Sequence, residues 1–137
     1  PLCRALKAAE PRMPKPFDAT ITFCYVQDLP TTARFYEEVL GLPLVVDQGG
    51  CRIVRVADGG YLGFCDRPVE PRPESVLLTL VVDDVQGWHE HLVEAGVPVD
   101  QAPRHNDEYG ITHAFYRDPS GYRVEIQRFD DPEWHRP

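Results

Sequence analysis

The sequence predicts an α+β domain in which two tandem βαβββ modules form a cupped mixed sheet around a cleft. Three observations predict it. An apolar run followed by an aspartate and a helical pattern occurs twice, with Asp28 and Asp84 lying 56 residues apart. Each helical pattern stops at Gly-x-Pro, at Gly41-Leu42-Pro43 and again at Gly96-Val97-Pro98. Each half then closes on strands that share a Gly-Tyr step, Gly60-Tyr61 and Gly121-Tyr122. A fixed period of this kind is the mark of a duplicated unit.

Residues 21–26 (ITFCYV) are apolar throughout, as a strand covered on both faces would be. Asp28 can cap the helix that follows, on which Leu29, Thr32, Phe35, Tyr36, Val39 and Leu40 recur at helical spacing. Gly41 ends it and Pro43 prevents its resumption. Residues 44–46 read as a short strand, and Gly49-Gly50 as a turn. Residues 52–56 and 61–65 read as a hairpin around Asp58-Gly59. The proline-bearing stretch 67–73 is a linker.

The second copy begins with the apolar strand 76–82 (VLLTLVV). Asp84 caps a helix with Val85, Trp88, Leu92 and Ala95 on one face. Residues 97–99 are short and extended, and 101–110 read as a polar loop. The closing hairpin runs from Ile111 to Arg128, its turn built on Asp118, Pro119, Ser120 and Gly121. Strand alternation puts Val124 and Ile126 on one face and Arg123, Glu125 and Gln127 on the other. A turn centred on Ser120 makes opposed residue numbers sum to 240; a one-residue bulge would give 238 and set His113 opposite Glu125. In both registers the polar row runs beside His113.

At 137 residues, with 42% apolar and 26% charged side chains, the chain is of single-domain size and ordinary globular composition. The boundaries expected are a flexible arm at 1–17, in which Met13 is a candidate start, one domain at 18–130 with modules at 20–66 and 76–128, and a tail at 131–137. A formal charge of −8 argues against nucleic-acid partners and anionic membranes. No run approaches the ~20 apolar residues of a membrane helix, and no signal peptide is visible. The four cysteines, Cys3, Cys24, Cys51 and Cys65, form no C-x-x-C pair. Reduced thiols in a cytoplasm are the simplest expectation for them. Cys51 and Cys65 meet only if their hairpin loop has three residues; a two-residue Asp58-Gly59 turn misses that register, so two free thiols are expected.

The early pattern D-L-P-x-x-x-x-F-Y-x-x-x-L-G-L-P and the late D-P-S-G-Y-x-x-E, inside a duplicated chain, resemble the vicinal oxygen chelate superfamily. That group includes glyoxalase I, bleomycin-resistance proteins and extradiol dioxygenases. The resemblance runs from about Thr20 to Arg128 and implies the fold; a fold does not fix the chemistry. It also implies where metal ligands would stand: seven residues before each helix-capping Asp, and on each last strand. Those positions are Ile21, Leu77, Phe64 and Glu125. Three of the four are apolar, and one carboxylate does not hold a divalent ion. No metal and no cofactor are therefore expected.

The same register collects a cleft. Phe23, Tyr25, Phe64 and Phe115 are its expected walls, and Arg123, Gln127, Glu125 and His113 its polar end, a composition usual for a small-molecule site. The preferred function is a metal-independent small-molecule binder of the bleomycin-resistance kind, for a planar or cationic ligand. The alternative is a metal-independent lyase, isomerase or hydrolase that moves protons with Glu125 and His113. A third reading is a metalloenzyme whose missing ligands come from His105, His113 or a second chain. Glu125 and His113 can equally be a structural polar pair. His89 and His91, two apart on a helix, lie on different faces and read as surface residues. A homodimer is expected from the open sheets and from the way relatives pair their modules.

Overall fold

The computed structural model describes residues 14, 16–68, 70 and 73–131. Most of the expected N-terminal arm, Cys3, Met13 and the tail with Trp134 and His135 lie outside the described residues. The first module comprises β1 (Thr20–Val26), α1 (Leu29–Arg34) continuing as a π-helical turn (Phe35–Val39), β2 (Leu44–Asp47), β3 (Cys51–Ala57) and β4 (Gly60–Asp66). A 3₁₀ turn (Pro73–Ser75) leads to the second: β5 (Leu77–Val81), α2 (Val85–Glu94), β6 (Val99–Asn106), β7 (Ile111–Arg117) and β8 (Arg123–Phe129). The strands form two four-stranded mixed sheets, β1-β4-β3-β2 and β5-β8-β7-β6. In each, the outermost first strand runs parallel to its neighbour and the remaining pairs are antiparallel. This is the α+β, tandem βαβββ architecture.

The helices start where aspartates satisfy orphan amides. Asp28 accepts from the Thr31 N–H at 3.2 Å and from its hydroxyl at 2.8 Å, and Asp84 accepts from Gly87 N–H at 2.8 Å. Such caps contribute ~1 kcal/mol each. A side chain at Gly87 would press on the Asp84 carboxylate and displace this cap. Both helices end at a glycine of positive φ, Gly41 at 71° and Gly96 at 79°. The closing hairpin keeps the register centred on Ser120, so Ile111 opposes Phe129, and His113 opposes Gln127 rather than Glu125.

Two expectations change. The polar stretch after Val99 is not a loop but β6, an edge strand paired to β7 through two register shifts. Its polar sequence hid it, because an edge strand facing solvent has no apolar alternation to show. Cys51 and Cys65 are not free thiols but a disulfide. The two-residue Asp58-Gly59 turn does form, and a bulge between Arg55 and Ala57 then shifts the register by one, so that Cys51 opposes Cys65. Cys24 is free and buried, and burial pushes its thiol up to about 11. The bond removes the reduced-thiol premise from which a cytoplasmic location was inferred. Among the described residues, no helix is long and apolar enough to cross a membrane.

One core joins the modules through their helix-covered faces. It runs from Cys24, Val26 and Phe64 in the first module to Leu78, Val124 and Ile126 in the second. Tyr36 stacks on Phe64 at 4.1 Å and donates its hydroxyl to Asp118 at 2.8 Å. Asp118 also accepts from the N–H groups of Ser120 and Tyr122. Ser120 and Thr32 share a hydroxyl hydrogen bond at 2.7 Å, and Tyr122 donates to the Tyr25 carbonyl at 2.8 Å. The D-P-S-G-Y turn is therefore the clasp that fastens the second module to α1. Burial raises the Asp118 carboxyl against the opposing pull of the donors Tyr36, Tyr122, Ser120 and Gly121, and it raises the Tyr36 hydroxyl well above its ordinary value.

Packing through the covered faces leaves the other face of each sheet open. Ile21 is 43% exposed, Phe23 49% and Tyr25 48% on the first, and Leu77 is 48% exposed on the second. The second sheet does not close over the first within one chain.

Candidate functional site

The open face of the second sheet is assembled by register across four strands. On β8 it presents Arg123, Glu125 and Gln127, and on β5 their parallel partners Leu77, Thr79 and Val81. On β7 it presents His113, Phe115 and Arg117, opposite Gln127, Glu125 and Arg123. On β6, Gln101 lies opposite Phe115 and Arg104 opposite His113.

Glu125 is the hub. It is buried, yet three side chains satisfy it. Thr79 donates its hydroxyl to Oε1 at 2.7 Å. His113 Nδ1 meets Oε2 at 2.6 Å. With its amide nitrogen turned toward the carboxylate, Gln127 donates to both oxygens at 3.1 and 3.2 Å. A buried carboxylate is tolerated when it is paired and hydrogen-bonded in this way. The bond to His113 crosses the strands diagonally, since Glu125 opposes Phe115 and not His113. Such a bond orients the imidazole and leaves its Nε2 outside the pair. The His113 ring packs edge-on against Phe115 at 4.9 Å, and the Arg123 guanidinium lies 4.3 Å over the Phe115 ring.

Five of the site residues read from the sequence thus come together: Glu125, His113, Phe115, Arg123 and Gln127. Phe23 and Tyr25 lie on the open face of the first sheet, with Arg67 against the Tyr25 ring at 5.7 Å. Phe64 is not a cleft wall. It is 1% exposed and stacked on Tyr36 in the core. The counterpart of Glu125 in the first module is Gly63, because Gly63 pairs with Phe23 as Glu125 pairs with Thr79. The Phe23 ring covers it: a Cβ on Gly63 would meet Phe23 Cδ1 at 2.4 Å. Strand alternation puts Thr79 on the same face as Leu77 and Val81, and the structure keeps it there. Arg104 is the residue that sequence reasoning misses, because it lies in the stretch that reads as loop.

The residues do not fit a family-type metal centre. The four corresponding positions are Ile21, Gly63, Leu77 and Glu125, and the one carboxylate has its oxygens engaged by Thr79, His113 and Gln127. Among the described residues, no three His, Cys, Asp or Glu side chains come together to hold an ion. His105 is held between Asp107 and Asp130, each at 2.7 Å. His89 and His91 are not idle surface: His89 bonds the Tyr116 hydroxyl and His91 the Val39 carbonyl, each at 2.8 Å. An apolar cavity of about 370 Å³ between Leu40, Val56, Leu80 and Trp88 lies at the seam of the covered faces and has no titratable lining.

Residues 20–126 match the family model of the Glyoxalase/Bleomycin resistance protein/Dioxygenase superfamily. YraH of Bacillus subtilis (strain 168) is 27% identical over 117 residues, covering 75% of this chain and 91% of that protein. A glyoxalase/bleomycin resistance protein/dioxygenase from Nocardioides superposes with a TM-score of 0.75 at 14% identity, covering 100% of this chain and 99% of the other. Lactoylglutathione lyase from Agrobacterium tumefaciens superposes with a TM-score of 0.69 at 22% identity, covering 88% and 100%. At such identities the superpositions speak for the fold alone.

Proposed function

The chain belongs to the Glyoxalase/Bleomycin resistance protein/Dioxygenase superfamily, and from that premise we propose that it binds a small organic molecule, without a resident metal, on the open face of its second sheet. One observation carries this reading. The single carboxylate left at the family's ligand positions is spent on Thr79, His113 and Gln127, while the other three positions are Ile21, Gly63 and Leu77. What remains is an apolar and aromatic surface with a few fixed polar groups, the usual make-up of a small-molecule site.

The site is completed by a homodimer in this proposal. The face carrying Ile21, Phe23 and Tyr25 is apolar and open, and so is the Leu77–Val81 edge of the polar face. Contiguous apolar surface of this kind marks an interaction site, and a second copy offers the complementary sheet. Phe23 and Tyr25 then become walls over the His113–Glu125 end of the partner's sheet.

Two measurements test the reading. Elemental analysis of untagged protein purified without chelators should return no stoichiometric divalent metal; one ion per chain, lost in Glu125→Ala, overturns it. Light scattering at micromolar concentration should give a dimer that Phe23→Asp dissociates; a wild-type monomer removes the shared site. The buried 2.6 Å contact between His113 and Glu125 favours a second reading, proton transfer by the imidazole on a bound substrate. Turnover of a bound ligand that vanishes in His113→Ala while binding persists would select it.

A further inference from the structure

The whole chain carries a charge of −8, which by itself favours a cationic ligand. The open face of the second sheet nevertheless carries a cluster of arginines. Arg104, Arg117 and Arg123 stand on it in adjacent rows, and Glu125 is the one carboxylate of the β7 and β8 rows.

The three guanidinium groups are not equally engaged. Arg117 is held by Asp100 at 2.7 Å and by Glu74 at 2.8 Å. The Arg123 Nε pairs with the same Asp100 only at 3.8 Å, too far for a hydrogen bond, and this buried nitrogen has no hydrogen-bond partner among the described residues. The Phe115 ring beneath it fixes its plane. Arg104 makes no hydrogen bond or ion pair among the described residues, and it stands opposite His113. Glu125 hydrogen-bonds neither one, since its oxygens face Thr79, His113 and Gln127. Two arginines with unspent donors therefore flank Phe115 and the free nitrogen of His113. A preorganised guanidinium with open donors is suited to a carboxylate or a similar planar oxyanion.

We infer that the ligand is an organic anion, with its carboxylate or comparable oxyanion taken by Arg123 and Arg104 beside Phe115 and its apolar body lying toward Leu77. This rests on the binding reading above and specifies the charge of the ligand. Local cations outweigh the distant net charge because unscreened contacts at hydrogen-bond range dominate, while charges beyond ~10 Å are damped by salt.

The experiment uses benzoate and benzylamine, equal in shape and opposite in charge, titrated into the full chain and followed by amide NMR shifts. Benzoate should shift amides around His113, Phe115 and Glu125, and benzylamine should not. Affinity for benzoate should fall about tenfold in Arg123→Gln and in Arg104→Gln, the scale of one charge-assisted hydrogen bond. The Arg104 variant is exposed and keeps the fold, so the result stands even if the Arg123 variant melts. Benzylamine binding at these amides as tightly as benzoate, or benzoate binding unchanged in Arg104→Gln, would overturn the anion assignment and leave the site reading intact. Shifts confined to other parts of the chain, or no shifts from either probe, would overturn both.

Discussion

The two modules repeat one topology and share one core, yet their open faces have opposite characters. In the first module Phe23 stands beside Gly63, and its ring occupies the space above that glycine. In the second, Thr79 and Glu125 take the same two places and hydrogen-bond at 2.7 Å. One substitution pair turns a polar station into an apolar wall. The first face is also stapled by Cys51–Cys65, whereas the second is tied by the His113–Glu125–Gln127 network. Duplication thus frees one copy to be scaffold and wall while the other keeps the polar groups. Covered faces cannot diverge in this way, because Tyr36, Phe64 and Asp118 must still fit one another.

Breaking the staple should have the largest effect. A disulfide closing a loop of this length, its cysteines 14 positions apart, stabilises by ~2–4 kcal/mol. Cys51→Ala with Cys65→Ala should lower unfolding free energy by that amount in denaturant titration, and should melt the first module before the second. An unchanged midpoint would mean the bond does not form in solution.

The clasp between the modules comes next. Tyr36→Phe leaves a buried Asp118 oxygen without its donor and should cost ~1–3 kcal/mol at neutral pH. The cost should depend on pH. Burial raises the Asp118 carboxyl above 3.8 in the folded chain, so the folded state holds that proton more tightly than the unfolded state. Stability from this group is therefore fullest at low pH and falls as pH rises through the interval above 3.8. Tyr36 opposes that rise by donating to the ionised form. Its loss should show fully at neutral pH and shrink on acidification, as thermal melts of both proteins between pH 3 and 7 would read out. A penalty independent of pH would place the cost in packing alone.

Converting one face to the other sharpens the contrast. Gly63→Glu forces the Phe23 ring to move and should cost ~1–3 kcal/mol, as overpacking does. Phe23→Thr together with Gly63→Glu copies the Thr79–Glu125 pair and should recover part of that loss. A double mutant whose cost is the sum of the singles would show that the two places are not coupled.

The smallest effect is expected at the polar hub. Glu125→Gln keeps the shape but weakens the bond to His113, and should cost ~1 kcal/mol in thermal or chemical unfolding. It should also move the His113 ring resonances in NMR. Unmoved resonances would mean the 2.6 Å contact is absent in solution.

Much of this fold was legible because local rules write it. The Asp caps, the Gly-x-Pro stops and the closing turn each depend on a few adjacent residues. The Asp118–Gly121 turn allows two registers, with or without a bulge, and only strand pairing selects the one centred on Ser120. Strand alternation gathered Arg123, Glu125 and Gln127 into one row.

What the tertiary structure decided turns on single-residue offsets and on which surfaces meet. Counting one repeat back from Glu125 by the Gly-Tyr spacing reaches Phe64, but strand pairing reaches Gly63. Because side chains alternate along a strand, that slip of one moves a residue from the open face to the core. The bulge between Arg55 and Ala57 acts in the same way and brings Cys51 to Cys65. Periodicity cannot reveal a bulge, since it adds a residue without changing composition. Nor can it say that the helix-covered faces would join and leave the other two open. That choice follows from the fit of Tyr36 against Phe64 and Asp118, contacts made between residues up to 82 positions apart. Sequence determined the elements apart from β6, and the rows of the closing hairpin. Packing determined which row is core, which is wall, and which keeps a carboxylate bound to a histidine.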